Sequence, residues 1–307
     1  MAVTASMVKE LRELSGAGMS ACKNALVEAN GDMGRAVEIL REKGLAAAAK
    51  KAGRIAAEGL VMTALADDRK KGAIVEVNSE TDFVAKNDGF VTFVKNVAKQ
   101  ALESNANTVE ELLAEKWTAD PSVTVQDELT QMIARIGENI GIRRFERYAV
   151  TGSGLVVDYI HGGGRVGAML ELEVDGVSDA VIEAGRNVCM QIAAMSPQFL
   201  DRASVPADYL EKEKEILTQQ TLAEGKPANI AEKMVEGRLS KIMKEICLVE
   251  QEYVKDGELS VGGYLETVAK AVGGKVAVKK YVRYEKGEGI EKKEENFAEE
   301  VSKAMQG

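Results

Sequence analysis

Gly162-Gly163-Gly164-Arg165-Val166-Gly167 has the spaced glycines with which a loop cradles a dinucleotide pyrophosphate, and His161, the only histidine, stands directly before it. Such a loop works where it opens a helix, whose first N–H groups hold the phosphate. Here Ala168-Met169-Leu170-Glu171-Leu172 follows as a strand, so the glycines read as a flexible hairpin loop. No phosphate-loop lysine motif is present, so nucleotide hydrolysis by the chain itself is not expected. His161 has no cysteine or second histidine at ligand spacing and no nucleophile motif beside it. It reads as a loop residue with a structural hydrogen bond, or as a lone base. Cys22, Cys189 and Cys247 are odd in number and far apart, which predicts a reduced, cytoplasmic setting with neither a disulfide framework nor a zinc site. Acidic pairs fall on helix faces, where solvation explains them. Nothing in this inventory reads as an enzyme, and no cofactor or metal is expected.

A different kind of chemistry is offered by Ile74-Val75-Glu76-Val77-Asn78-Ser79-Glu80-Thr81-Asp82-Phe83-Val84-Ala85. A largely apolar strand runs into an abrupt turn of carboxylates and one large ring. Glu80, Thr81 and Asp82 are turn and cap formers, yet Phe83 follows them where solvent is expected. Two readings stand side by side. Phe83 folds back as a staple under the next helix, or it is an apolar wedge beside a negative charge, offered to another molecule.

The rest of the chain must position that stretch. With 307 residues there is room for two or three domains. A net charge of −9 argues against direct nucleic-acid binding, which needs a surplus of Lys and Arg. Trp117 is the only tryptophan, so stacking platforms for single strands are not expected either. Met1 to Glu10 lacks an apolar signal core and no run approaches membrane-spanning length, so no membrane contact is expected.

The first part reads as three short helices. Thr4 or Ser6 caps the first, with Met7, Val8, Leu11 and Leu14 inward, before Gly16-Ala17-Gly18 ends it. Cys22, Ala25, Leu26 and Ala29 face inward on the second, which Asn30-Gly31 stops. Met33, Ala36, Val37 and Leu40 do so on the third, with Gly44 closing it and Leu45 packing back. Lys50, Lys51 and Arg54 are a basic cluster for a partner or a solvated linker helix.

From Gly59 the period becomes two. Leu60–Leu65 and Ala73–Val77 flank Asp67-Asp68-Arg69-Lys70-Lys71-Gly72 as a hairpin. Helices follow over Phe90–Ala101, Val109–Leu113 and Val125–Ile136, then a strand through Ile140, Ile142, Phe145 and Tyr148. The second half repeats this plan. Gly72-Ala73-Ile74-Val75-Glu76-Val77 matches Gly167-Ala168-Met169-Leu170-Glu171-Leu172 at an offset of 95. Gly137, Ile140, Ile142, Phe145, Arg147 and Tyr148 match Gly273, Val276, Val278, Tyr281, Arg283 and Tyr284 at an offset of 136. The difference between those offsets, 136 − 95 = 41, is an insertion in the second copy. It reads as two helices about a Gly225-Lys226-Pro227 turn, with a narrow apolar seam through Ile230, Met234, Leu239 and Ile242.

The fold expected is therefore α+β. Residues 1–56 are a three-helix bundle and linker, and 57–150 a first core lobe. A homologous second lobe comprises 151–204 and 247–284, interrupted by an antiparallel helical hairpin at 205–246. Residues 285–307 are a C-terminal module, ending in a helix with Phe297, Val301 and Met305 on one side. The hairpin either self-associates as a homodimer contact, meets a partner, or stands solvated.

Several segments resemble one family. Gly16-Ala17-Gly18-Met19 with Cys22-Lys23 and Ala25-Leu26, then Thr81-Asp82-Phe83-Val84-Ala85, then Ile136-Gly137-Glu138-Asn139-Ile140, are similar to bacterial translation elongation factor Ts. Ala231-Glu232-Lys233-Met234-Val235-Glu236-Gly237-Arg238 and Gly287-Glu288-Gly289-Ile290-Glu291-Lys292 extend the resemblance over essentially the whole chain. Ser79 stands where that family often has Cys, and Ser20-Ala21 where Met-Asp is common. The resemblance implies a guanine-nucleotide exchange factor that binds elongation factor Tu and promotes GDP release during translation elongation. It implies partner contacts by Met19 and Lys23 in the bundle, by Thr81, Asp82, Phe83 and Val84 in the turn, and by His161 in the second lobe. Asp82 and Phe83 match the intruding pair near the partner's magnesium site. The rival class is a scaffold or chaperone-like binding module, which binds without changing nucleotide dissociation.

Overall fold

The computed structural model describes residues 3–224 and 227–291, and the chain is α+β. It opens with α1 (Ala5–Ser15), α2 (Met19–Glu28) and α3 (Met33–Lys51). Thr4 caps α1, its Oγ1 accepting from Met7 N at 3.2 Å, and Asp32 caps α3 by accepting from Arg35 N at 2.7 Å. Val8, Leu11, Cys22, Ala25, Leu26, Ala36 and Ile39 form the small core of this bundle. Two expected core residues are not in it: Leu14 is 67% and Val37 40% exposed. Leu14 lies in the last turn of α1, and on α3 Ile39 rather than Val37 takes the inward position beside Ala36.

Gly44 does not end the third helix. It lies buried within α3, where an added Cβ would stand 3.7 Å from both Thr130 and Ala134. Its small size admits a neighbouring helix instead of breaking its own. Leu45 accordingly remains half exposed.

Next come β1 (Glu58–Leu65) and β2 (Lys71–Ser79), a 3₁₀ turn at Val84–Lys86, α4 (Asp88–Glu103) and α5 (Val109–Ala114). Short strands β3 (Lys116–Trp117) and β4 (Asp120–Thr124) precede α6 (Val125–Ile136) and β5 (Ile140–Ala149). The sheet order is β1-β2-β5. α4 buries Phe90, Phe93, Val94, Val97 and Ala98. A reciprocal cap starts α6: Thr124 Oγ1 accepts from Asp127 N at 3.1 Å, and Asp127 Oδ2 accepts from Thr124 N at 3.0 Å.

The second half runs β6 (Gly154–His161), β7 (Val166–Val174), α7 (Asp179–Met195), α8 (Ala207–Ala223) and α9 (Ala228–Ile246). Then follow β8 (Glu252–Tyr253), β9 (Asp256–Ser260), α10 (Val261–Val272) and β10 (Val276–Glu285). Its sheet is ordered β10-β7-β6, with β6 and β7 antiparallel from Gly154 opposite Glu173 to His161 opposite Val166. Leu155, Val157, Leu170, Leu172, Val188 and Ile192 sit in its core.

The repeat is visible element by element. β8, β9, α10 and β10 each begin 136 residues after β3, β4, α6 and β5. Each middle strand also carries a buried carboxylate at the same place. Glu76 has no exposed surface and accepts from Arg144 Nε at 2.6 Å, Gly287 N at 2.7 Å, Arg143 Nη1 at 3.0 Å and Asn78 Nδ2 at 3.0 Å. Among the described residues its counterpart Glu171 pairs with Lys279 at 2.9 Å and Lys280 at 3.5 Å.

Thr63–Ile74 and Glu146–Tyr284 make one compact unit, and the remaining described residues make another. In the former, α8 and α9 form a helical hairpin that leaves and rejoins the lobe at one point. Phe199 N donates to Ile246 O at 3.0 Å and Leu248 N to Phe199 O at 2.9 Å. Leu217, Ala231 and Val235 are buried along the hairpin, while Ile216 and Leu222 are half exposed. Gly225 and Lys226 of its turn, and the tail helix expected through Phe297, Val301 and Met305, lie outside the described residues.

Candidate functional site

The turn after β2 is built from both of its ends. At its start Ser79 Oγ donates to Thr81 O at 3.1 Å. Glu80 Oε1 accepts from Asn139 N at 2.5 Å and from Arg54 Nη1 at 3.5 Å. Thr81 donates twice to Glu138, from its N–H to Oε2 at 3.0 Å and from its hydroxyl to Oε1 at 2.7 Å. At the far end Asn87 caps α4, its Oδ1 accepting from Gly89 N at 2.9 Å and Phe90 N at 3.2 Å. Val84 is buried between these anchors, at 6% exposure.

Between them Phe83 is 79% exposed, the most exposed of the large apolar side chains among the described residues. It is no staple under α4, because Val84 occupies the inward position and Phe83, in helical backbone at the start of the 3₁₀ turn, points away. Asp82 is beside it, with Lys86 Nζ donating to its Oδ2 at 2.8 Å. That hydrogen bond holds the Asp82 carboxyl below the usual carboxylate range. The ring and the charge therefore present together.

The remaining expected residues are placed as follows. Met19 opens α2 at 57% exposure, and Lys23, also exposed, lies one turn later on the same face. Gly16 keeps the preceding loop against Arg135: a Cβ there would come within 2.8 Å of the guanidinium, and its φ of 63° is left-handed. His161 is exposed at the end of β6, its Nδ1 3.0 Å from the Tyr159 hydroxyl. His161 O accepts from Gly164 N at 3.2 Å and Arg165 N at 3.1 Å, so the glycines close a hairpin and leave no nucleotide cradle. Met19, Lys23 and the four turn residues belong to one compact unit and His161 to the other. Thr81 and Val84 are tied into their own unit, whereas the side chains of Asp82 and Phe83 are exposed.

Sequence reasoning missed Glu138 and Lys86 as parts of this site. Lys86 was legible in principle, since it follows Asp82 by four residues. Glu138 is 57 positions from Thr81, and no periodicity joins them.

Among the described residues no group of His, Cys, Asp and Glu could hold a metal ion, and no helix is long and apolar enough to cross a membrane. Two repeated lobes, one of which displays an exposed ring beside a carboxylate, have the form of a protein that contacts another macromolecule. Comparison with known sequences says which kind. The family described as Elongation factor TS matches residues 80–288. Elongation factor Ts of Clostridium perfringens (strain 13 / Type A) is 60% identical over 301 residues, covering 98% of each chain. Elongation factor Ts of Clostridium kluyveri (strain NBRC 12016) is 55% identical over 305 residues, covering 99% of each. The chain belongs to the elongation factor Ts family.

Proposed function

We propose that Phe83 and Asp82 are the pair through which this chain opens the nucleotide site of its partner. As a family member the chain is a guanine-nucleotide exchange factor for elongation factor Tu in translation elongation. The observation that carries the mechanism is the 79% exposure of Phe83, next to a charged Asp82, on a turn anchored at both ends. Phe83 enters as a wedge and Asp82 disturbs the surroundings of the partner's magnesium, loosening the phosphates. Met19 and Lys23 hold the partner from the bundle, and His161 meets it from the second lobe. GDP release breaks no covalent bond, so the chain acts without catalysing a chemical reaction. It works where translation does, in the cytoplasm, and needs neither cofactor nor direct contact with nucleic acid.

A factor that bound the loaded and empty partner equally well would change nothing. It must favour the empty state, and by linkage it then weakens GDP binding by the same factor. Accelerating release about a thousandfold requires lowering the barrier by roughly 4 kcal/mol. Burying one aromatic side chain contributes about 1.5–3 kcal/mol, so Phe83 needs the grip elsewhere to supply the remainder. Release of a fluorescent GDP analogue from purified elongation factor Tu tests this. Phe83→Ala is expected to slow stimulated release at least about tenfold, and an unchanged rate would retire the wedge. A wild-type chain that binds without accelerating release would instead indicate the scaffold class.

A further inference from the structure

We infer that Glu138 is the residue that positions the Phe83 ring for exchange, an inference that rests on the wedge role proposed above. The two lobes supply an internal comparison. In both, the residue following the middle strand accepts an N–H at the start of the last strand. Glu80 Oε1 accepts from Asn139 N at 2.5 Å, and Asp175 Oδ2 accepts from Lys275 N at 2.7 Å. Glu80 and Asp175 are 95 residues apart and Asn139 and Lys275 are 136 apart, as the repeat requires. This contact closes each lobe and has nothing particular to do with the ring.

The second contact exists in one lobe only. Glu138 grips Thr81 at both its N–H and its hydroxyl, at 3.0 and 2.7 Å. The matching positions in the other lobe are Gly274 and Gly176, which have no side chains to make such a contact. The connection differs as well. Eight residues, 80–87, separate β2 from α4, whereas four, 175–178, separate β7 from α7. The lobe that carries the longer connection and the projecting ring is the lobe that carries the extra carboxylate grip.

Its physical effect follows from the chain geometry. Thr81 lies two residues before Phe83, so rotation about its backbone would swing the ring. A carboxylate that accepts from both donors of one residue fixes that residue's orientation. Without the grip the turn must be ordered as the ring enters the partner, and the ordering entropy falls on the insertion step. Glu138 touches no nucleotide and no reacting atom; it acts through Thr81 and the ring.

The test uses the full chain and release of a fluorescent GDP analogue from elongation factor Tu at saturating factor concentration. Glu138→Ala is expected to lower the saturating release rate about tenfold, the order of cost of ordering one backbone residue. Thr81→Val is expected to lower it in the same direction, and Thr81→Ser to restore it. Combined with Phe83→Ala, Glu138→Ala is expected to cause no further loss, because both act through one ring. Hydrogen exchange at Thr81 N–H is expected to accelerate in Glu138→Ala while the amides of β2 and α4 keep wild-type protection. If those amides lose protection as well, Thr81→Val carries the test. A wild-type saturating rate in Glu138→Ala and Thr81→Val, with Phe83→Ala slow, would overturn the positioning role alone. A fully additive double variant would overturn it too. A wild-type rate in Phe83→Ala itself would remove the wedge reading on which the inference rests.

Discussion

Lys86 Nζ donates to Asp82 Oδ2 at 2.8 Å and lies 5.8 Å from the centre of the Phe83 ring, so one lysine engages both members of the exposed pair. The ring contact is within cation–π range, and both the lysine and the carboxylate remain open to water. On the mechanism proposed above, Asp82 would exchange this lysine for the surroundings of the partner's metal site.

Replacing Lys86 with Gln should raise the Asp82 pKa toward that of an ordinary aspartate, because the hydrogen bond to Lys86 is the main cause of its depression. A ¹³C carboxyl NMR titration would show the shift. The sign for stability is set by the depression. Whatever the pair contributes is present above the unfolded Asp value and fades as pH falls through the folded one. For a pair this exposed, the melting temperature of Lys86→Gln should match wild type. Stimulated GDP release should be no slower, and a slower rate would mean that Lys86 itself contacts the partner.

Glu76 should matter far more to stability than its repeat partner Glu171. Burial pushes the Glu76 carboxyl up, but Asn78, Gly287 N–H, Arg144 and Arg143 together bring it below the usual range. Its stabilisation is therefore full above the unfolded value, about pH 4.3, and is lost as pH falls through the folded value. Glu76→Ala leaves two arginines without their buried acceptor and should cost about 3 kcal/mol. Glu171→Ala removes an acceptor from two half-exposed lysines, which can turn to water, and should cost about 1 kcal/mol. Urea midpoints of the two variants at pH 7 and pH 4 would rank them, and the Glu76→Ala deficit should shrink at the lower pH.

The elements that repeat a hydrophobic period were legible in the sequence, and those held by single long-range contacts were not. Val125–Ile136 follows from its apolar spacing, and the structure shows Thr124, Asp127 and Gly137 as the caps that fix its ends. Both hairpins and the inserted helices follow from apolar spacing together with the turn residues between them. The ladders β3–β4 and β8–β9 were missed, since a two-residue strand carries no period. At the site, the residue types from Glu80 to Phe83 are informative, but excluding the staple needs the direction of one side chain. The grip of Glu138 on Thr81 joins residues far apart in the chain, and no local rule reaches it.

Gly44 was misread because glycine has two uses, stopping a helix and admitting a neighbour, and the sequence does not distinguish them. The structure makes the difference measurable. An alanine methyl there would meet Thr130 and Ala134 at 3.7 Å, ordinary van der Waals contact, in helical backbone. Gly44→Ala should stabilise the protein by about 0.5–1 kcal/mol through helix propensity. Gly44→Leu should destabilise it by about 1–3 kcal/mol, as the larger side chain forces the helices apart. Opposite shifts of the urea midpoint would confirm that the position is a packing contact, and stabilisation by both would indicate an unpacked helix surface.

The helical hairpin should be separable from the lobe that bears it. Its two ends are bonded to each other through Phe199, Ile246 and Leu248, and Val205, Met243, Ile246 and Cys247 form a small core at its base. Tyr209, Leu210, Leu239 and Ile242 pack against that core, so a cut beyond them leaves it whole. Replacing residues 211–238 with a short Gly-Ser loop should leave the melting transition of the remaining protein within a few degrees of wild type. Loop closure is inexpensive when the ends already lie side by side. Ile216 and Leu222 are half exposed on α8. If the intact chain sediments as a dimer through this arm, the shortened chain should sediment as a monomer at the same concentration. A shortened chain that keeps the dimer would place self-association elsewhere, and one that unfolds would show that the arm's distal half supports the lobe.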